Sequence, residues 1–230
     1  MTIHGQTLCP IEMRNRRTSP LHGDARSRTD YNLAMARARK LFPIYGSALA
    51  NNMFLALGRG RLVDGFVAAY VADYDRRGIL GGPSRDRELA ETIGREMMLA
   101  MIHEVRLVLP RFFGKKQYAA LKDEEKEVMD AFFSELMAAL GRVWNWNGED
   151  RRQFRHDLEL YSEFAGRPAK LGNSRKRGKV REEDPPFVGR VALLLDPSML
   201  DQARRAARKF HGEVERLAQK LLRQTLRPGR

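Results

Sequence analysis

From Leu200 to Leu221 the apolar residues fall three and four apart, at Leu200, Ala203, Ala207, Phe210, Val214, Leu217 and Leu221. That spacing lines them up along one side of an α-helix and has no counterpart in the two-residue period of a strand. It is also the spacing of a heptad seam. Asp196-Pro197, just ahead, supply an N-cap and a first-turn proline. Off the seam stand Arg204, Arg205, Arg208, Lys209, Arg216, Lys220 and Arg223. A helix of this extent is about 40 Å long. It must pack its seam on its own chain or on a partner helix, and either choice turns the cationic side outward.

The helical period recurs upstream. Asp30 is placed to cap a helix reaching Leu41, where Pro43 stops it, and Gly46–Leu57 reads as a second helix broken by Gly58-Arg59-Gly60. Val63, Phe66, Val67, Tyr70, Val71 and Tyr74 mark a helix over Leu62–Arg77. After the Gly78–Pro83 turn, Ser84 caps a long helix over Arg85–Leu109, ended by Pro110. Asp123 caps another, reaching Trp144, with Glu124, Glu125 and Glu127 at the end where the helix dipole favours anions. Asn147-Gly148 turns the chain into a helix over Glu149–Phe164, with Phe154, Leu158 and Tyr161 inward. Phe187–Leu195 is short and apolar and fits a strand as well as a helix or irregular chain. The fold class expected is all-α, an irregular multi-helix bundle.

The formal net charge of +13 is unevenly distributed. Residues 29–164, the expected helical body, hold 20 basic and 20 acidic side chains and are neutral. The surplus lies elsewhere. Residues 1–28, an aperiodic arm that includes Arg14, Arg16 and Arg17, carry +3. Residues 165–187, a loop rich in Gly, Pro, Asn and Ser that includes Arg175, Lys176, Arg177 and Lys179, carry +4. In the C-terminal helical segment, 188–230, which is expected to pack on the body, the stretch from 197 onward carries +6. Cations gathered this way point to a polyanionic partner, nucleic acid before an anionic membrane surface.

No segment approaches the ~18 apolar residues that a membrane span requires, and the first 28 residues lack the apolar core of a secretory signal. Cys9 is the only cysteine, which leaves no disulfide within the chain and no cysteine-based zinc site. A cytoplasmic protein without integral membrane association is expected.

Enzyme motifs are sparse. No P-loop, complete dinucleotide fingerprint, His-Glu-x-x-His, Gly-x-Ser-x-Gly or Glu-x-x-His pair occurs, so neither a cofactor nor a metal is expected. His103-Glu104 and His156-Asp157 are neighbours on helices, where adjacent side chains diverge by about 100°, and His103 lies in an apolar stretch as a core or boundary residue. Arg151 and His156 are the two candidates for catalysis. Their Arg-x4-His spacing resembles the active motif of HEPN-type helical ribonucleases, and the resemblance implies cleavage of RNA by that pair. It covers six residues, and Arg152 stands where those enzymes usually carry a polar residue. Trp144 and Trp146, at a helix end, fit either stacking on bases or locking the helix terminus to a neighbour.

The expected function is therefore non-catalytic binding of a nucleic-acid backbone, RNA or DNA, without sequence readout. The chain would act as a subunit of a nucleoprotein complex beside other protein subunits. The candidate contacts are the arm, the loop and Arg204, Arg205, Arg208, Lys209, Arg216, Lys220 and Arg223. The alternative is a protein-interaction scaffold that uses the 200–221 seam.

Overall fold

Seven α-helices and two short 3-10 helices account for the regular structure of the described residues, and no strand occurs among them. A computed structural model of the chain describes residues 24–60, 62–76, 87–166, 184–196 and 199–226. Residues 1–23 of the arm and most of the loop lie outside that set, whereas residues 24–28 are helical and begin α1, so that helix starts at Asp24 and not at a cap on Asp30. The chain divides into two units, one made of residues 1–54, 105–145 and 219–230 and the other of 55–104 and 146–218. Helices α1 (Asp24–Gly60), α3 (Arg87–Val108) and α7 (Leu200–Leu226) contribute residues to both.

In the first unit, α1 runs straight through Pro43, which corrects the expectation of two helices separated there. Proline removes one helical hydrogen bond and crowds the preceding turn, at a cost of about 3 kcal/mol. Met35, Ala38, Phe42, Leu49, Ala50 and Met53 are all buried, three and four apart on both sides of the proline. Burying the larger of these side chains is worth about 1.5–3 kcal/mol each, and the continuous stripe outweighs the local penalty.

The stripe packs on α4 (Asp123–Val143). The rings of Phe42 and Phe132 are 6.1 Å apart, and Ser47 Oγ donates to Glu135 Oε1 at 3.0 Å. Gly46 makes this approach possible. A Cβ there would run into the Phe132 carbonyl oxygen and lie 3.1 Å from the Leu136 nitrogen. Helix α4 starts at Asp123 with Lys122 at the N-cap, so the expected cap is instead the first helical residue. The backbone N–H of Lys122 is taken by Glu125 Oε2 at 2.9 Å.

The second unit holds α2 (Leu62–Arg76), most of α3, α5 (Gly148–Gly166), α6 (Pro186–Leu195) and most of α7. Asn147 caps α5. Its Oδ1 accepts from the N–H groups of Glu149 and Asp150 at 2.8 and 2.9 Å, and Asp150 returns the favour to the Asn147 N–H at 3.0 Å. The 187–195 run, open between strand and helix in the sequence, is α6. Phe187, Val188, Val191, Ala192 and Leu195 are its buried residues, on a helical period, and Pro186 opens it.

On α7 the inward residues are Ala203, Ala207, Phe210, Val214, Ala218, Leu221 and Leu222. Phe210 stacks on Phe66 of α2 at 4.1 Å with nearly parallel rings and meets Phe187 of α6 at 5.9 Å. Five of the seven seam residues are thus buried within the chain, while Leu200 and Leu217 are half-buried. Asp196 holds the entry to the helix by accepting from the Met199 N–H at 3.1 Å. No helix of the described residues is long and apolar enough to cross a membrane.

Candidate nucleic-acid interface

Two sets of basic side chains stand out, one inside the second unit and one along α7, and the fold treats them in opposite ways. The first is interior. From Glu96 to Ile102 every residue of α3 is buried, so the helix has no solvent side there and the charge of Glu96 needs partners within the protein. Arg190 of α6 donates to Glu96 Oε1 at 3.1 Å and, at 3.4 Å, to Asp157 Oδ1 of α5. Tyr161 donates to Glu96 Oε2 at 2.8 Å. Arg95 and Gln153 complete Asp157, at 3.1 and 3.3 Å.

Glu96 and Asp157 are each only 7% exposed. Burial first, then the charge of Glu96, holds the Tyr161 phenol far above its usual range, so it remains a donor. Burial lowers the affinity of Arg190 for its proton, but the charge and hydrogen bond of Glu96, with the charge of Asp157, more than offset this and hold it above its ordinary value. Two cations meet two anions, and the cluster joins α3, α5 and α6. Sequence reasoning missed this network, although a glutamate in the apolar stretch of α3 and an arginine inside the apolar 187–195 run both hint at it.

The second set lies on the outward side of α7. Arg205, Lys209, Arg216, Lys220 and Arg223 are all exposed. At about 100° per residue they fall within about 60° of arc, opposite the buried stripe, over a length of about 27 Å. Among the described residues none of the five makes an ion pair. The Nε of Arg216 donates to the Gly212 carbonyl at 2.9 Å, and Arg223 reaches Gln219 Oε1 at 3.4 Å.

The remaining candidates behave otherwise. Arg208 is gripped by Asp184, Nε to Oδ1 at 2.5 Å and Nη2 to Oδ2 at 2.9 Å. That bond, foremost, raises the pKa of the guanidinium above its ordinary value. Arg204 is turned toward the inner flank, with Nε buried and without an acceptor among the described residues. Arg14, Arg16, Arg17, Arg175, Lys176, Arg177 and Lys179 lie outside the described residues. The structure therefore gathers five of the candidate cations on one face and withdraws Arg204 and Arg208 from it.

Arg151 and His156 are both exposed on α5. Five positions apart on a helix, they point about 140° away from each other and do not converge within the chain. The Trp146 ring packs on Phe154 at 4.5 Å, which ties down the entry to α5. Among the described residues no group of three His, Cys, Asp or Glu side chains is arranged to hold a metal ion. No protein-family model, curated protein or solved structure matches the chain.

Proposed function

We propose that this chain binds the phosphate backbone of nucleic acid through the outward face of α7, as a non-catalytic subunit of a nucleoprotein assembly. The observation that carries the reading is the arc of five exposed cations without an ion pair among the described residues. Lysine and arginine that face water and, among the described residues, form no ion pair are free to replace the counterions of a polyphosphate, and the release of those counterions supplies affinity without reading sequence. The apolar side of the same helix packs against the chain's own Phe66 and Phe187. What α7 presents to a partner is therefore its charge rather than a heptad seam. The arm and the loop add cations to the chain, and the same reading extends to them as further backbone contacts.

The test is a salt series. Fluorescence anisotropy with a labelled oligonucleotide should give a log–log plot of affinity against salt whose slope is about −0.9 per phosphate neutralised on a duplex. The triple variant Arg205→Ala/Lys209→Ala/Arg216→Ala should weaken binding on the order of a hundredfold at moderate salt and flatten the slope by about 2.7, with little dependence on base sequence. Binding that ignores ionic strength, or that survives the triple substitution unchanged, overturns the reading.

A further inference from the structure

The cations of α7 are not evenly spaced. Arg205 and Lys209 form one group, and Arg216, Lys220 and Arg223 form another. Between them the outward side carries Gly212, where an added Cβ would meet nothing within 4 Å, and then Glu213, an anion. At 1.5 Å per residue, the midpoints of the two groups are about 19 Å apart along the helix axis.

A single strand lying along α7 would present an unbroken row of phosphates and set one of them against Glu213. A duplex crossing the helix presents two phosphate rows with a groove between them. The major groove of B-form DNA is about 12 Å wide, and the phosphates on its rims are further apart by their own size. Two cationic groups that straddle a neutral and an acidic position match two rows with a gap. Single-strand sites also lean on aromatic platforms on which bases stack, and no exposed residue of α7 is aromatic.

We infer that the ligand of α7 is double-stranded DNA, bridged across one major groove so that each cationic group meets one rim. This rests on the backbone-binding reading of the same face. The glycine and the glutamate face the groove opening, where no phosphate lies. The contact remains at the backbone and leaves base edges unread.

The full chain should be titrated at one salt concentration with three probes: a mixed-sequence DNA duplex about two turns long, one of its isolated strands, and an RNA duplex of the same sequence, whose major groove is deep and narrow. The DNA duplex is expected to bind tightest, on the order of tenfold over either competitor. Glu213→Lys fills the gap with a cation and should raise single-strand affinity more than duplex affinity, narrowing that ratio; circular dichroism melting checks that the variant is folded. Equal or tighter binding of the single strand or of the RNA duplex overturns the inference, as does a Glu213→Lys variant that strengthens all probes alike. In those cases the backbone reading still stands if affinity falls with salt and with the Arg205/Lys209/Arg216 substitutions. If none of the three probes binds, both fail.

Discussion

Arg190 and Arg205 lie fifteen residues apart and play opposite parts. Arg190, with 31% of its side chain exposed, is held by two carboxylates that are nearly closed to water, and it joins three helices. Arg205 is open to solvent and, among the described residues, touches no carboxylate. The same residue type is a structural rivet in one place and a loose charge in the other, and the difference comes from what the neighbouring helices supply. Net charge alone is blind to it. A surplus of cations matters for a polyanion only to the extent that the fold leaves those cations unpaired.

The sharpest way to break the comparison is to remove the rivet. Among the described residues, Arg190→Ala leaves Glu96 with only the Tyr161 hydroxyl and Asp157 with only Arg95 and Gln153. Truncating one partner of a buried ion pair typically costs about 3–5 kcal/mol, and the partial exposure of Arg190 reduces that to about 2–4 kcal/mol. Arg205→Ala, on the open face, should change stability by no more than about 0.5 kcal/mol. Urea unfolding at neutral pH measures both. If the two variants lose equal stability, or if folded Arg190→Ala protein loses its affinity for nucleic acid, the division into rivets and loose charges is wrong.

A smaller effect tests the boundary between the two sets. Arg208 is on the flank of the outward face but is occupied by Asp184 through the two-pronged contact that an arginine also makes with a phosphate. Asp184→Asn weakens that grip and returns a cation to the surface. The expected result is severalfold tighter binding and a salt slope steeper by about 0.9, the increment for one more phosphate contact. The pair is half open to water, with 54% of the Arg208 side chain exposed, so its loss should cost at most about 1 kcal/mol of stability. An unchanged slope would mean that Arg208 belongs with the rivets.

What the sequence reveals follows the same division. The outward stripe lies on one helix, so spacing alone puts Arg205, Lys209, Arg216, Lys220 and Arg223 on a common side. The periods of α2, α3, α4, α5 and α7 are legible for the same reason. Pro43 misleads because its penalty is local, whereas the stripe from Met35 to Met53 that overrides it is realised only in packing, with Phe42 set against both Phe132 of α4 and Phe113. The 187–195 run is ambiguous because a short apolar segment fits either period until something packs on it. The ion network is out of reach: Glu96 and Arg190 are 94 positions apart and Asp157 and Arg190 are 33, and no local pattern announces such a meeting. Arg208 looked like its neighbours on α7, and its partner lies 24 residues back, at the edge of the loop.

The smallest expected effect concerns a residue that sits between the two populations. His211 is on α7 near the inward edge, against the Phe187 ring at 5.3 Å, and its Nδ1 lies 3.4 Å from Glu215 Oε1. Burial lowers its pKa below the ordinary histidine value, against an opposing pull from the charge of Glu104 on α3. The folded protein therefore holds fewer protons on this ring than the unfolded chain does, and stability is lost as pH falls through the unfolded value of about 6.5 toward the folded one. His211→Gln removes that loss, so its melting temperature relative to wild type should rise as pH drops from 7.5 to about 5.5. Glu215 works in the other direction, because burial raises its pKa and folding favours its protonated form as pH falls toward the unfolded value near 4.5. The comparison of variant with wild type should therefore be read at the upper end of the range, before the carboxylate begins to titrate. A difference in melting temperature that stays flat across that range would place His211 with the solvent-facing charges of α7, and the boundary between its two sides would have to be redrawn one position further in.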